Sequence, residues 1–396
     1  MNTSIRRIRR PVKRESVERY LRVTLVSFAA TVILIRLFLE LTGYPQVGSS
    51  ELHIAHLLWG GLLLFVASLM LLLFANRWMY SAGALLAGVG IGLFIDEVGK
   101  FITQNNDYFF PAAAPIIYAF FLLTVLLYLR VRRPQPRSTR IELYHALEAF
   151  EEVLDHDLSA EERASLDARL DRVVRQADHP DFARLASALR EFLASDALYV
   201  ATDSPGLWER CVQRVRGYGA RWITPRRLKA ALTGGLVVLG LGGLVSLAVL
   251  VIVALAPTGA YLEAQLPSGG GADPSVVPLE SLELGALVAF LARLALGGVA
   301  GLLLLAGAVF MIFGRDRWGS VLGYFGLLLS LTIVSLLDFY FDQFRAIVGA
   351  TVQFTVLIGI IIYRRRYMIP GPDKDPPLSG TRNEARDERS LGGSQP

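Results

Sequence analysis

Ionisable side chains lie near the ends of several apolar segments, and their types allow metal or acid–base chemistry. His53 and His56 are three residues apart, so on a helix both imidazoles lie on one face. Asp96 and Glu97 together close a later apolar segment. Two imidazoles and a carboxylate are suitable zinc ligands and leave a fourth position open for water. These four residues therefore predict a zinc site, in which the spare carboxylate would be the general base of a hydrolase.

Cations near the same acids support two other interpretations. Arg36 and Glu40 form an i, i+4 pair at the end of the first apolar segment. Lys100 follows Asp96 at the same spacing, so a structural ion-pair network would join these two residues along their own helix. In that network Arg36 pairs with Glu40 or reaches across to Glu97. The other interpretation is a polar pocket for an ion or a small solute, in which Asp96 or Glu97 binds a proton or a cation.

Small residues precede the acidic pair on the same helical face. Gly88, Gly92 and Asp96 follow one another at i, i+4 spacing, and Gly297 and Gly301 repeat this spacing later in the chain. In a bilayer, small residues at this spacing let two helix backbones approach closely. An acid at the end of such a seam is shielded from lipid and needs a partner. We therefore expect Asp96 to be the least replaceable charged residue of the membrane region.

The elements that carry these residues are apolar stretches long enough to cross a bilayer. The chain has 396 residues, of which 53% are hydrophobic and only 19% charged, whereas soluble domains carry about 25% charged residues. A span needs about 20 apolar residues, and the sequence predicts an all-α polytopic membrane protein with about eight transmembrane helices. The net charge of +5 comes from basic clusters at helix ends. We therefore expect the lipid bilayer as a partner and no nucleic acid.

Composition divides the chain into five segments. They are a basic arm at 1–19, a first four-helix membrane unit at 20–131, a polar helical domain at 132–226, a second four-helix membrane unit at 227–366 and a tail at 367–396 with disordered composition. The polar domain shows amphipathic stripes and a capping box at Ser159, which predict about three helices. Its charges alternate as on solvated faces, so we expect a regulatory module that binds a cytoplasmic protein partner.

The two membrane units resemble each other in outline. The tripeptides at 76–78 and 316–318 occupy equivalent places, and the helices that follow them end in Asp96 and Asp338. We therefore consider an internal repeat of two units with the same orientation. The basic clusters fall on one side, while the loop at 257–284 contains acids and no Lys or Arg. We expect the protein in the plasma membrane. By the positive-inside rule, both termini and the polar domain then lie in the cytoplasm.

The motifs favour a function other than catalysis. The single cysteine, Cys211, excludes an intramolecular disulfide and a cysteine-based metal site, and no nucleotide-binding loop is present. We expect the protein to bind or transport a small solute or ion in a pocket on the extracytoplasmic side. The candidate pocket residues are Arg36, Glu40, Asp96, Glu97, Lys100 and Asp338. The alternatives are a zinc-dependent hydrolase acting at the outer membrane surface and a membrane-anchored signalling or scaffold protein.

Overall fold

The chain is an all-α, multi-pass integral membrane protein. The computed structural model describes residues 11–43, 56–105, 107–108, 110–133, 138–195, 199, 224–255 and 284–368. Within these ranges the regular structure is helical and contains no strand. Eight helical segments of the described residues are long and apolar enough to cross a membrane. The fold class expected from the sequence is therefore confirmed.

The first four spans precede the polar part of the chain. They are α1 (Val17–Thr42), α2 (His56–Leu73), α3 (Arg77–Asp96) and α5 (Ala113–Val131), with a short helix α4 (Val98–Ile102) after α3. The sequence predicts a helix to about residue 98, but α3 ends at Asp96 because Glu97 leaves the helical region, with φ −89° and ψ 10°. This bridge conformation is sparsely populated and recurs at functional sites. It places two adjacent acids at a break between two helices.

Three polar helices follow, and we call them the three-helix module. They are α6 (Thr139–Leu154), α7 (Ala160–Gln176) and α8 (Pro180–Ala194). The capping box predicted at Ser159 is present. The Ser159 hydroxyl accepts a hydrogen bond from the Glu162 backbone N–H, and the Glu162 carboxylate accepts one from the Ser159 backbone N–H. Leu158, Leu170 and Leu193 are buried in the shared core. Residues 200–223, which include Cys211, lie outside the described ranges.

The last four spans follow the module. They are α9 (Pro225–Leu255), α10 (Leu284–Ile312), a continuous helical stretch from Asp316 to Phe341, and α13 (Gln343–Tyr367). The continuous stretch consists of α11 (Asp316–Leu329), a π-helical turn (Ser330–Val334) and α12 (Ser335–Phe341). Such a turn holds one more residue than an α-helical turn, and it occurs frequently at functional sites. The sequence predicts this span but not its interruption.

Contacts divide the described residues into two compact units. The first unit contains the residues up to 199, residue 255, and the stretches 284–293 and 332–350. The second unit contains 224–254, 294–331 and 351–368, and its core includes Leu236, Leu327 and Ile360. The boundary passes through α10, the π-helical turn and α13, so short stretches of the last spans belong to the first unit. The two four-helix units of the sequence analysis and their internal repeat remain predictions.

A glycine seam joins α3 to α1 in the first compact unit. A Cβ on Gly88 would overlap the Ser27 hydroxyl, and a Cβ on Gly92 would lie 2.7 Å from the Cβ of Thr31. Any larger side chain at either position would push the two helices apart, because these distances are shorter than van der Waals contact. The seam brings the last turns of α1 and α3 side by side.

A comparable seam joins α9 to α10 in the second compact unit. A Cβ built on Gly243 would lie 2.6 Å from the carbonyl oxygen of Gly297 and would overlap the backbone of Gly301. The backbones of the two helices are therefore in direct contact, as small residues permit within a bilayer. Gly297 and Gly301, the later glycine pair of the sequence, both lie at this contact.

Candidate functional site

A group of polar side chains surrounds the last residue of α3, and we call it the α3-end network. Its members come from the ends of α1 and α3, the starts of α2 and α13, the short helix α4 and the segment before α5. They are Arg36, His56, Asp96, Glu97, Lys100, Tyr108 and Gln343, all in the first compact unit. The network is therefore assembled from helices that are far apart in sequence.

Asp96 is the centre of this network and is fully buried, with 0% of its surface exposed. Its Oδ1 accepts a hydrogen bond of 2.6 Å from Nε of Arg36, which is itself only 5% exposed. Its Oδ2 accepts a 2.6 Å bond from the Tyr108 hydroxyl and lies 3.2 Å from Nε2 of His56. A buried carboxylate is tolerated when a cation and further donors satisfy it, and Asp96 has both.

Glu97 is the second buried acid, with 1% of its surface exposed. Its Oε1 lies 3.1 Å from Nζ of Lys100 and 3.1 Å from Nδ1 of His56. Its Oε2 is buried and has no hydrogen-bond partner among the described residues. One acceptor of the network is therefore left open within the part of the chain that the structure describes.

His56 bridges the two acids with its two ring nitrogens. Nε2 faces Asp96 and Nδ1 faces Glu97, at 3.2 and 3.1 Å. A neutral imidazole carries only one N–H, so both contacts are hydrogen bonds only when a further proton sits on the ring or on one carboxyl. His56 therefore links the two acids that the helix break places side by side.

Two members of the network were not predicted from the sequence as site residues. Gln343, at the start of α13, accepts a hydrogen bond from the Arg36 guanidinium. The Tyr108 ring has the guanidinium carbon of Arg36 at 5.7 Å and Nζ of Lys100 at 5.4 Å from its centroid. In the sequence, Tyr108 is an aromatic residue typical of a membrane interface, and Gln343 is one polar residue at a helix start. Neither pattern indicates a partner for Arg36.

The structure rearranges the expected ion pairs. Arg36 makes the direct contact with Asp96, while Lys100, the cation predicted for Asp96 from its spacing along the helix, contacts Glu97. Glu40 lies one turn beyond Arg36 on α1 and is exposed. The choice of partner follows from the seam, because the close approach of α1 and α3 places Arg36 beside the end of α3.

The predicted zinc site depends partly on a residue outside the described ranges. His53 is that residue, while His56 contacts both Asp96 and Glu97. Within the described ranges, no group of three His, Cys, Asp or Glu side chains has an arrangement suited to a metal ion. The carboxylates there are in contact with Arg36 and other donors. Zinc binding through both histidines therefore remains a prediction.

Asp338 forms a second ion pair in the same compact unit. It accepts a hydrogen bond from Arg293 of α10, and both side chains are partly exposed. Nearby on α12, Ser335 forms a hydrogen bond with Tyr118, whose ring stacks on Phe339 with centroids 4.5 Å apart. Asp338 is thus not among the contacts of Asp96, but its helix leads directly into the start of α13, which supplies a partner to the α3-end network.

A further polar surface lies where the basic arm meets the three-helix module, and we call it the arm–module surface. The arm contacts both the module and the membrane helices, since Arg14 lies 3.4 Å from Glu148 and donates a 2.7 Å bond to Tyr80. The start of α3 contacts the module directly, through an ion pair between Arg77 and Glu152. The helix that ends in the α3-end network therefore begins at this surface.

One acid of the arm–module surface is poorly matched to its surroundings. Glu151 has a buried Oε2 without a hydrogen-bond partner in the described part of the chain. Burial raises the pKa of this carboxyl above its usual range, and the nearby Glu148 raises it further. Arg14 and Arg77 oppose this effect only in part. Ionisation of Glu151 is therefore less favourable in the folded protein than in the unfolded chain.

Comparison with known proteins gives no relative from which a function could be transferred. No protein family model, no curated protein and no solved structure matches this chain.

Proposed function

We propose that this membrane protein transports a small cation, or a small solute that donates hydrogen bonds, across the bilayer. The α3-end network is the site that binds this cation or solute. The observation that carries this proposal is the buried Oε2 of Glu97, which has no described partner. A cation or a donor group of the solute satisfies this acceptor. Asp96 and Arg36 hold the site in place from the adjacent helices.

The energetic cost of the network supports a functional role. A buried acceptor without a partner costs about 1–3 kcal/mol, which a bound donor recovers. A buried ion pair contributes little net stability, because well-packed apolar residues of similar volume are often equally stable or more so. Ionisable residues within membrane helices are accordingly rare and mark ion or substrate pathways. A purely structural role would need neither the open acceptor of Glu97 nor the bridging His56.

The binding proposal is tested with the purified chain in phosphatidylcholine nanodiscs. Thermal unfolding is measured in sodium, potassium, ammonium or methylammonium chloride, with N-methylglucamine chloride as the reference at equal ionic strength. A cation at 100 times its Kd stabilises the folded state by about 2.7 kcal/mol, so we expect one of these salts to raise the melting temperature. Glu97→Gln should abolish that rise, because it replaces the open carboxylate with a neutral amide.

The matched control is Glu40→Gln, which removes an exposed acid one turn beyond the site. It should retain the salt-dependent rise. An equal rise in wild type and in Glu97→Gln would contradict the proposal. Zinc bound at about one ion per chain and lost in a His53→Ala/His56→Ala variant would favour the hydrolase instead.

We also propose an orientation for the membrane region. Basic residues cluster at the ends of α5 and α13 and at the α10–α11 turn, on the side of the three-helix module by the alternation of spans. The positive-inside rule then supports a cytoplasmic module, cytoplasmic termini and an extracytoplasmic α3-end network in the plasma membrane.

A second candidate function is signalling through the three-helix module, and the arm–module surface favours it. The module contacts the start of α3 through the ion pair of Arg77 with Glu152, and Asn76 donates a 3.2 Å bond to Asp155. A protein partner that binds the module would therefore act on the same helix that carries Asp96. In this function the α3-end network is the sensor and the module is the output.

A further inference from the structure

A cavity of about 570 Å³ opens at the turn between α10 and α11, and we call it the turn cavity. It belongs to the second compact unit and is separate from the α3-end network. Its lining combines the turn with the end of α13. The lining residues are Gly314, Arg315, Asp316, Arg317, Trp318, Tyr363, Tyr367 and Met368.

The acid in this lining already has a cation beside it. Asp316 lies 2.6 Å from Nζ of Lys229 and accepts a 2.7 Å hydrogen bond from the Tyr363 hydroxyl. Lys229 therefore neutralises the carboxylate, and Tyr363 fixes its orientation. Asp316 contributes almost no net negative charge to the cavity, because a close ion pair cancels at longer distance.

The two arginines of the lining, unlike Asp316, have no oppositely charged partner among the described residues. Arg315 and Arg317 are both exposed. They flank Asp316 on a turn that Gly314 permits, since its φ of 77° lies in the left-handed region. Two exposed arginines thus line one cavity, and the guanidinium group of each carries several N–H donors for an anion.

The wall of the cavity is aromatic and continues into an apolar surface. Trp318 is 65% exposed, and the rings of Tyr363 and Tyr367 lie with centroids 5.5 Å apart. Phe313, just before the turn, is 78% exposed. Exposed tryptophan and tyrosine at the end of a membrane span are typical of the headgroup level of a bilayer. We therefore expect the two neighbouring arginines at the level of the lipid phosphates.

We propose that the turn cavity binds the headgroup of an anionic phospholipid. Arg315 and Arg317 hold the phosphate by charge-assisted hydrogen bonds, which are shorter and stronger than neutral ones. Trp318 packs against the glycerol region, and the acyl chains follow the exposed apolar surface near Phe313. Basic pockets between membrane helices bind anionic headgroups in this manner, and each nearby cation contributes substantially to the attraction.

The test measures lipid retained by the intact chain, using native mass spectrometry after exchange into micelles with phosphatidylglycerol and phosphatidylcholine. Wild type should retain phosphatidylglycerol in preference to phosphatidylcholine. Arg315→Gln/Arg317→Gln should reduce the apparent affinity for phosphatidylglycerol by about tenfold or more, from the loss of two cations. Both side chains are exposed, so the variant should fold with an unchanged melting temperature in phosphatidylcholine nanodiscs. If it aggregates, Arg317→Gln alone replaces it, with about a threefold loss expected.

The control removes the same charge from the same compact unit. Arg226 and Arg365 are exposed and do not line the turn cavity. Arg226→Gln/Arg365→Gln should change phosphatidylglycerol affinity by less than about twofold. Equal losses of phosphatidylglycerol affinity in the two double variants would mean that basic residues attract the lipid without a specific site, which would overturn the proposal. Displacement of the lipid by millimolar inorganic phosphate would assign the cavity to a free phosphorylated solute and would also overturn the proposal.

Discussion

At the scale of single residues, the contact between Arg36 and Asp96 dominates the membrane region. Each is almost completely buried, so removing one charge leaves the other without compensation. A buried ion that loses its partner destabilises a protein by about 3–5 kcal/mol, whereas replacing both partners by uncharged residues that pack well is often neutral. The network should therefore respond very differently to single and double substitutions.

We expect Asp96→Asn and Arg36→Gln each to lower the free energy of unfolding by about 3 kcal/mol, because each leaves the partner charge unpaired. The double variant should regain most of this loss. Unfolding in nanodiscs, followed by tryptophan fluorescence of wild type and the three variants, gives the coupling energy of the pair. Additive losses would show that the two side chains act independently. Even the stable double variant should lose the salt response of the binding test.

A second prediction concerns Glu151 and pH. The folded state raises the pKa of this carboxyl, so the carboxylate binds its proton more tightly in the folded protein than in the unfolded one. The resulting stability is complete below the unfolded pKa and is lost as pH rises through the folded pKa. Glu151→Gln should therefore stabilise the protein at neutral pH, by about 0.5 kcal/mol at a site partly open to water.

The measurement is thermal unfolding of the full chain between mildly acidic and neutral pH. The gain from Glu151→Gln should shrink as the pH falls, because protonated glutamate and glutamine are then equivalent. Glu191→Gln, at an exposed position of α8, is the control and should follow wild type. A gain that is constant with pH would mean that the amide acts through new hydrogen bonds rather than through charge.

At the scale of elements, the seam between α1 and α3 determines whether the network forms. A side chain at Gly92 would meet Thr31 at 2.7 Å, whereas a Cβ at Gly61 of α2 meets no atom within 4 Å. We therefore expect Gly92→Leu to separate the two helices and to lower the yield of correctly assembled protein several-fold. Gly61→Leu is the matched control, and size-exclusion profiles with melting temperatures compare the two. Equal behaviour of the two variants would contradict a role for the seam.

The sequence predicts the helices well because their signals are local. Apolar length defines each span, and Ser159 with Glu162 marks the start of α7. The break at Glu97 is not predictable in this way, since glutamate is a good helix former and no proline or glycine stands at 96–98. The π-helical turn at 330–334 is likewise set by packing and leaves no pattern of residue types.

The partners within the site were harder to predict for a different reason. Asp96, Glu97 and His56 could be identified because charged and polar residues are costly within apolar segments. Their pairing depends on helices that meet only in the folded chain, such as α13 with Gln343, which is 307 residues from Arg36. A single sequence carries no signal for such a contact. Lys100 was therefore the nearer candidate for Asp96, while the fold supplies Arg36.

At the scale of the whole molecule, the proposed orientation makes a direct prediction. Cysteines introduced at Ser49 and Ser268, which lie outside the described ranges, should react with a membrane-impermeant maleimide on intact cells. Native Cys211 should react only after permeabilisation, because the positive-inside rule places its segment in the cytoplasm. Labelling of Cys211 alone in intact cells would mean that the topology is inverted and that the α3-end network faces the cytoplasm.

The course of α3 has a geometric consequence for the whole protein. The helix is fixed at both ends, by the ion pair of Arg77 at the arm–module surface and by that of Asp96 in the α3-end network. Each residue of an α-helix advances the azimuth by about 100° and the length by about 1.5 Å. The number of residues between Arg77 and Asp96 therefore fixes the angle between their side chains about the helix axis as well as the distance between them. One inserted residue would turn the carboxylate about 100° away from Arg36, whereas seven would nearly restore the phase and leave the helix about 10 Å too long.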